Sequence, residues 1–257
     1  MTSSANRSSP TSALPSSASL ARQLNVELGR HRDAARAIAE KAYLKSDLEF
    51  VGVPLPAMRQ AVAALKRQHP RLDRATVLDL VARLWKGRVF ESRMIAVLLL
   101  DTLASLLEPQ DIHLLERLIR ESRTWAFVDE LAIAVTGRLV ERSPDLLATL
   151  DRWSRDADLW IRRSSLLALL PPLRRGAGDF RRFARYADGM LEEREFFVRK
   201  AIGWVLRETS KKRPDLVYRW LLPRAERASG VTVREAVKYL SVAQRQAVMH
   251  AYRSASR

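Results

Sequence analysis

Residues 163–168, Arg163-Ser-Ser-Leu-Leu-Ala, have counterparts in four other segments of the chain. The counterparts are Arg93-Met-Ile-Ala-Val-Leu, Asp129-Glu-Leu-Ala-Ile-Ala, Arg199-Lys-Ala-Ile-Gly-Trp and Arg234-Glu-Ala-Val-Lys-Tyr, so the first residues follow one another at steps of 36, 34, 36 and 35. A period of this length is typical of arrays of helix pairs, in which each pair buries its apolar side only against its neighbours.

Apolar spacing along the rest of the chain indicates helices throughout. From Leu20 onward apolar residues recur at i, i+3, i+4 and i+7, without sustained strand alternation. Proline at the first turn predicts helix starts at Pro109, Pro144 and Pro214, and Pro171-Pro172 with Gly176-Ala-Gly178 predicts the end of one helix before the next. We predict an all-α fold: a HEAT-like α-solenoid of paired antiparallel helices of about 12 to 18 residues, with a concave basic cleft as its binding surface.

Residues 1–19 differ in composition from the remainder. They contain eight serines, two prolines and no acidic residue, and they show no apolar periodicity. We expect a disordered Ser-rich tail; an organellar transit peptide is the alternative, although no amphipathic Arg-rich helix supports it. Residues 20–257 are predicted to form a single HEAT-like repeat domain.

The chain is strongly basic, with 45 Lys and Arg against 29 Asp and Glu and a net charge of +16. Such an excess favours polyanionic partners, either nucleic acid or an anionic membrane surface. The longest apolar run, Met94 to Leu100, has seven residues, and a membrane span needs about 20. We therefore expect a polyanion binder that does not enter a membrane. Arginine outnumbers lysine 37 to 8, which a GC-rich genome explains, although it does not explain the shortage of acids.

The sequence gives little support for metal or thiol chemistry. The chain has no cysteine, which excludes disulfides, thiolate zinc sites, iron-sulfur clusters held by cysteine and a cysteine nucleophile, and makes a reducing compartment such as the cytoplasm the simplest location. The four histidines are scattered singly, without the i, i+4 spacing that a helical metal site favours. We predict no metal site.

Asp129 is the acidic member of an otherwise basic repeat position. Its counterparts are Arg93, Arg163, Arg199 and Arg234. Guanidinium groups repeated at one helical position would form a row suited to a phosphate backbone, although pairing with acids inside the array is an alternative for Arg93, Arg199 and Arg234. The carboxylate in this row is either an accident or a reaction centre.

The common catalytic motifs are absent. The sequence contains no G-x-x-x-x-G-K-[ST], G-x-G-x-x-G, G-x-S-x-G or H-E-x-x-H, so nucleotide hydrolysis, dinucleotide redox chemistry, serine hydrolysis and zinc proteolysis have no visible apparatus. Any chemistry must use carboxylate, guanidinium and aromatic groups. Trp125 and Asp129 share one helical face at i and i+4; a core tryptophan beside a solvated acid is the alternative interpretation.

Two further strings carry a family resemblance. Trp160-Ile-Arg-Arg163 gives W-x-x-R, and Phe196-Phe-Val-Arg-Lys200-Ala-Ile-Gly-Trp204-Val-Leu-Arg-Glu208 gives F-F-x-x-K-A-I-G-W-x-L-R-E. With Tyr43 before the turn at Phe50-Val-Gly52 and with W-x-x-x-D at Trp125 to Asp129, these stand in the order found in the AlkD family. Over about residues 42–240 the chain resembles these HEAT-like-repeat DNA glycosylases.

The resemblance implies roles for particular residues. Asp129 is similar to the catalytic aspartate of the family, Trp125 and Trp204 to aromatic walls of its cleft, Arg163 to a cleft arginine and Tyr43 to a cleft-lining tyrosine. Trp204 lies about 140° round an ideal helix from Arg199, so its place in the cleft depends on the resemblance alone. Thr124 and Ala126 stand where relatives often carry aromatic or polar groups, which leaves the substrate preference open.

The implied reaction is hydrolysis of the N-glycosidic bond of 3-methyladenine, 7-methylguanine and similar cationic purines in duplex DNA, as a step of base excision repair. We expect no metal ion, no organic cofactor, no membrane partner and a monomeric enzyme. Arg93, Arg163, Arg199, Arg234 and Lys200 are predicted DNA contacts. Lys200 also raises the possibility of Schiff-base chemistry, but a phosphate contact is the better interpretation, so we predict a monofunctional glycosylase.

Two other functions fit the composition. One is a non-catalytic HEAT-like scaffold that holds DNA, RNA or an acidic protein, against which only Asp129 and its aromatic neighbours argue. The other is a structural solenoid whose arginine content is genomic, which predicts an unpatterned distribution of arginines. The register at positions 93, 163, 199 and 234 argues against the second.

Overall fold

The computed structural model describes residues 15–254, and within that range the protein is all-α. The described residues form no β-strand, and a single parallel bridge joins Glu49 to Val89. The predicted all-α class is confirmed. Between residues 15 and 254, no helix is long and apolar enough to cross a membrane.

Contacts between residues group the chain into two units. The first comprises residues up to 41 together with 47–102, and the second comprises 42–46 together with 103 onward. Helices of the first unit are α1 (Ser17–Arg30), α2 (Ala34–Leu44, whose end passes into the second unit), α3 (Leu55–Gln68), α4 (Arg74–Lys86) and α5 (Phe90–Thr102).

The second unit contains the remaining helices. They are α6 (Ile112–Ser122), α7 (Trp125–Glu130), α8 (Gly137–Arg142), α9 (Leu147–Trp153), α10 (Leu159–Leu167), α11 (Leu170–Arg174), α12 (Phe180–Gly189), α13 (Phe196–Ser210), α14 (Pro214–Leu221), α15 (Gly230–Ala236) and α16 (Val242–Ser254). A π-helical segment, Leu131–Thr136, joins α7 to α8 without a break. Single 3₁₀ turns occupy Ala104–Leu106, Pro109–Asp111, Pro144–Leu146, Leu222–Arg224 and Val237–Tyr239.

Helix α6 illustrates how the apolar spacing produces this structure. Its residues Ile112, Leu115, Leu118 and Ile119 are buried, whereas Arg117 and Glu121 are exposed. Such a helix gains most of its stability from packing its apolar side against neighbours rather than from its own backbone hydrogen bonds.

The 35-residue period of the sequence becomes a set of contacts in the second unit. Side-chain hydrogen bonds join Arg163 to Asp129, Arg152 to Glu116 and Tyr186 to Asp151, across separations of 34, 36 and 35 residues. Further bonds with separations of 34 to 36 connect Arg120 to Asp156, Arg185 to Asp151, Arg224 to Asp188 and Arg227 to Glu192. Equivalent positions of consecutive repeats therefore lie next to each other.

The proline signals agree with the structure only in part, whereas the glycine signals agree with it. Pro214 begins α14, whereas Pro109 and Pro144 begin 3₁₀ turns rather than α-helices. Pro171 and Pro172 do not end a helix: they lie in the first turn of α11, where their missing N–H groups cost little. Gly176 and Gly178 follow α11 with φ of +85° and +75°, conformations that favour glycine.

At the amino-terminal end, α1 begins at Ser17, capped by the Ser16 side chain. Three residues assigned to the predicted tail are therefore helical. Residues 1–14, on which the rest of the tail prediction falls, lie outside the described range. The single repeat domain predicted for 20–257 stays a prediction.

Candidate functional site

A cleft of about 610 Å³ opens in the second unit. Its walls combine aromatic rings with charged side chains, contributed by Tyr43, Trp125, Asp129, Arg163, Phe196, Phe197, Lys200, Trp204, Arg207 and Glu235. Six of these residues are among those selected from the sequence. A cleft of this size has room for a nucleobase with its sugar.

Helix α7 places Trp125 and Asp129 on one wall. The helix begins at Trp125 because the preceding Thr124 is extended and its hydroxyl accepts a hydrogen bond from the Ala126 N–H at 3.4 Å. Four residues later Asp129 lies on the same helical side as Trp125. A π-helical segment starts at Leu131, two residues after Asp129, and widens the helix there, a feature often found at functional sites.

Asp129 is held by Arg163 from the next repeat. Arg163 Nε donates to Oδ1 at 2.8 Å and Nη2 donates to Oδ2 at 2.9 Å, so the pair is bidentate. Arg163 Nη1 donates to the carbonyl oxygen of Phe197. Every guanidinium nitrogen thus has a partner, and the Arg163 side chain is 3% exposed against 17% for Asp129. The arginine lies behind the carboxylate, and the carboxylate retains a face toward the cleft.

Helix α13 contributes half of the cleft lining. Phe196, Lys200, Trp204 and Arg207 follow one another at i, i+4, i+8 and i+11, within about 80° of each other on an ideal helix. The cleft face of α13 therefore runs through these positions, and Arg199 lies off it. The Nε of Arg199 donates to the backbone oxygen of Glu193 instead.

Aromatic rings in the cleft support one another. Tyr43 meets Trp125 edge to face, with ring centroids 6.1 Å apart, although 73% of Tyr43 remains exposed. Phe197 packs on Trp160 at 5.0 Å, and the Arg163 guanidinium lies 5.8 Å from the Phe197 ring. These contacts orient the rings that line the cleft.

Helix α15 brings a second carboxylate to the cleft. Glu235 accepts hydrogen bonds from Arg207 at 2.5 Å and from Lys238 at 2.7 Å. Burial acts to raise the pKa of Glu235, but the Lys238 hydrogen bond and the charges of Arg207, Lys238 and Lys200 outweigh it, so that pKa is lowered. Glu235 is therefore ionised at neutral pH.

One family matches the chain over most of its length. The family model described as "DNA alkylation repair enzyme" matches residues 24–240, which include every cleft residue named above. The chain belongs to the DNA alkylation repair enzyme family. The resemblance to the AlkD family is thus confirmed, and membership places the chain among enzymes that repair alkylated DNA.

Solved structures of other proteins share this fold. A predicted DNA alkylation repair enzyme from Enterococcus faecalis is 21% identical, with a TM-score of 0.74 over 82% of this chain and 98% of the other. AlkD2 from Streptococcus mutans is 20% identical, with a TM-score of 0.59 over 80% of this chain and 100% of the other. No curated protein matches the chain.

The predicted DNA contacts differ in their surroundings. Lys200 lines the cleft and is exposed, Arg163 is committed to Asp129, and Arg199 to the backbone near Glu193. Arg234 is exposed on α15. Arg93 belongs to the first unit, where its Nε donates to the Gly87 oxygen at 2.9 Å and its guanidinium lies 5.1 Å from the Trp85 ring. The shared register therefore does not give these arginines a shared environment.

Four cleft residues received no role from the sequence. Phe196, Phe197 and Arg207 belong to the F-F-x-x-K-A-I-G-W-x-L-R-E string. The i, i+4, i+8, i+11 spacing puts Phe196 and Arg207 on one helical face with Lys200 and Trp204, and this spacing is the sequence signal for both residues. Glu235 carries no such signal, because its place depends on how α15 packs. Within the described residues 15–254, no group of three or more His, Cys, Asp or Glu side chains could hold a metal ion.

Proposed function

We propose that the protein is a DNA glycosylase that hydrolyses the N-glycosidic bond of purines alkylated at N3 or N7, such as 3-methyladenine and 7-methylguanine, in duplex DNA. The observation that carries this proposal is the cleft in which Asp129, fixed by Arg163, faces the same space as Trp125 and Trp204. Family membership supplies alkylated DNA as the substrate class.

One carboxylate is enough for this reaction. Most glycosidases need a second carboxyl group to protonate the leaving oxygen. An N3- or N7-alkylated purine already carries a positive charge, so the electron pair of the breaking bond neutralises the departing base. Positive charge develops on the sugar, and Asp129 stabilises it. Water then bonds to C1′ and passes its proton to the Asp129 carboxylate.

The aromatic walls favour a charged base over its neutral parent. Cation–π attraction contributes about 0.5 to 2 kcal/mol per contact, and a neutral purine gains only stacking. Trp125 and Trp204 line the same cleft, and Tyr43 supports the Trp125 ring. Selection by charge leaves the shape of the alkyl group weakly constrained.

The basic residues divide into two roles. Arg163 is nearly buried and bonded to Asp129 and the Phe197 carbonyl, so we assign it the positioning of the carboxylate. Lys200 is exposed in the cleft and makes no ion pair with any residue between 15 and 254, which suits a phosphate contact. Arg234 is exposed and is proposed as a second contact, with Arg199 and Arg93 as further ones.

A lyase step is not part of the proposal. Lys200 lies 5.8 Å from the Phe196 ring on a basic helix, and we assign it to phosphate rather than to Schiff-base formation. Borohydride should therefore trap no covalent protein–DNA adduct. An adduct that disappears in Lys200→Gln would show a lyase and refute the monofunctional assignment.

The decisive experiment measures release of 7-methylguanine and 3-methyladenine from methylated duplex DNA. Asp129→Asn keeps the shape of the side chain and removes its charge, and should slow release about 100-fold or more. Glu130→Gln is the matched control, because it removes an adjacent carboxylate that does not line the cleft. Equal release by wild type and Asp129→Asn would refute the role of Asp129. Absence of release with DNA binding intact would favour the scaffold.

A further inference from the structure

Glu235 is a carboxylate surrounded by cations at the edge of the cleft. Its Oε2 accepts from Arg207 Nη1 at 2.5 Å and its Oε1 accepts from Lys238 Nζ at 2.7 Å. Lys200, on the same face of α13 as Arg207, adds a third positive charge that acts on Glu235. Glu235 thus pairs with two cations and lies near a third, a group of positive charges that could also hold a phosphate.

The backbone fixes where this carboxylate lies. Gly203 of α13 faces Glu235, and a Cβ added at Gly203 would lie 2.8 Å from the Glu235 Cβ and 3.0 Å from the Thr232 carbonyl oxygen. The missing side chain lets α15 approach α13 closely. Glu235 therefore reaches Arg207 because two helices pack tightly, and not through the chance position of a long side chain.

The Glu235 pair differs from the Asp129 pair in accessibility. Arg207 and Glu235 are 26% and 18% exposed, and Lys238 is 48% exposed, whereas Arg163 is 3% exposed. Arg207 Nε also donates to Glu208 Oε1 at 3.3 Å, so the Arg207 side chain keeps one hydrogen bond when Glu235 is displaced. A partly exposed ion pair is held weakly, and an incoming phosphate can exchange with it.

We propose that Glu235 competes with DNA phosphates for Arg207 and Lys238 and thereby limits non-specific binding of DNA. In the free protein the carboxylate satisfies both cations. Undamaged DNA must displace it to gain these two contacts, so its binding is weakened. The same displacement is required at a lesion, where contacts of the aromatic walls and Asp129 with the damaged base add binding energy. The penalty therefore lowers the occupancy of undamaged DNA while a lesion still holds the protein. The inference rests on the proposed function.

The size of the effect follows from counterion release. Each phosphate contact contributes a slope of about −0.9 to log K against log salt, equivalent to about eightfold in affinity at 0.1 M salt relative to 1 M. Glu235→Gln should therefore bind undamaged duplex DNA about eightfold more tightly at 0.1 M salt for each cation it releases, with a slope steeper by about 0.9.

The test compares wild type, Glu235→Gln and a matched control. Glu192→Gln removes the same charge from an exposed Glu–Arg pair, because Glu192 accepts from Arg227 at 2.6 Å and lines no part of the cleft. Binding of an undamaged duplex is measured by fluorescence anisotropy from 0.05 to 0.5 M salt. The expected result is a steeper slope and tighter binding for Glu235→Gln than for Glu192→Gln. Equal gains in both variants would reduce the effect to net charge and overturn the proposal.

A kinetic arm measures how strongly undamaged DNA competes. Release of 7-methylguanine is measured in the presence of increasing undamaged competitor DNA. With the methylated duplex far below its KM, competitor should inhibit Glu235→Gln at a concentration about eightfold lower than it inhibits wild type. Identical inhibition curves would overturn the proposal.

Two further outcomes separate this proposal from the proposed function. If wild type releases no base but Glu235→Gln binds DNA with the steeper slope, the glycosylase assignment fails and the role of Glu235 stands. If wild type releases base but the slope is unchanged in Glu235→Gln, only the role of Glu235 fails. Absence of DNA binding by both proteins refutes both.

A second pair of variants, Lys200→Gln and Arg207→Gln, tests the proposal if Glu235→Gln does not fold. Arg207 is occupied by Glu235, whereas Lys200 makes no ion pair in the described part of the chain. Lys200→Gln should therefore weaken binding of undamaged DNA more than Arg207→Gln does. The reverse order would show that Arg207 is already available to phosphate, and would overturn the proposal.

Discussion

Replacement of Arg163 by lysine separates two roles that an arginine can have beside DNA. Arg163 donates to both oxygens of Asp129, at 2.8 and 2.9 Å, and to the Phe197 carbonyl oxygen, all with a side chain that is 3% exposed. A lysine ammonium is a point donor and cannot reproduce the bidentate fork. Arg163→Lys should therefore keep the positive charge and lose the fixed orientation of Asp129.

The expected magnitude follows from these contacts. Removing one partner of a buried ion pair costs about 3 to 5 kcal/mol, and because lysine keeps its charge and one of the bonds we expect about 2 kcal/mol of lost folding stability. Misplacing a catalytic group by about 1 Å costs about 100-fold in rate. Single-turnover release of 7-methylguanine should fall by that factor, whereas the salt dependence of binding to undamaged DNA should not change.

The measurements are urea unfolding, single-turnover kinetics and binding as a function of salt. A phosphate contact made by Arg163 predicts a different result for Arg163→Ala, namely a salt slope reduced by about 0.9. A flattened slope in Arg163→Ala, together with a normal rate of base release in Arg163→Lys, would refute the positioning role. Circular dichroism of both variants controls for loss of helical structure.

Three other predictions follow. Gly203→Ala should lower the free energy of unfolding by about 1 to 3 kcal/mol, because the added Cβ would lie 2.8 Å from the Glu235 Cβ. A Cβ at Gly29 would meet no atom within 4 Å, so Gly29→Ala should not destabilise the protein. Equal urea midpoints for the two variants would contradict this prediction. Trp125→Ala should slow base release about 2- to 30-fold through lost cation–π attraction with little effect on binding of undamaged DNA; parallel losses in both assays would instead indicate a general packing role. Hydrogen bonds from Arg152 and Arg120 lower the pKa of Glu116 and Asp156, respectively, to about 2. Below about pH 5 the unfolded chain therefore binds more protons than the folded chain, and the urea midpoint should fall as the pH is lowered toward 2. The fall should be less steep in Glu116→Gln, and identical pH profiles for this variant and wild type would refute this origin.

The recurrence of similar segments every 34 to 36 residues made the helical array predictable. Periodic burial determines helices locally, and each repeat meets only its neighbours, so the contacts at separations of 34 to 36 follow from the period. Asp129 also stood out from the sequence, since an acid replaced arginine at a repeated position. Its proposed role required the family resemblance.

The arginine register shows where prediction from repeats ended. Arg163, Arg199 and Arg234 are equivalent in sequence, yet one is buried against Asp129, one bonds to a backbone oxygen and one is exposed. A long side chain has many rotamers, and the nearest acceptor selects among them. The position of that acceptor depends on the neighbouring repeat.

By itself, the sequence determined an all-α chain with similar segments at a regular period, a net charge of +16 and an unusual carboxylate, because periodicity, charge and motif are properties of residue order. Only the tertiary structure decided that Arg163 serves Asp129 and that the cleft face of α13 runs from Phe196 to Arg207. The tertiary structure also decided that Glu235 enters the cleft through the close approach of α15 at Gly203. These features are distances between helices, and such distances are set by packing against side chains far away in the sequence.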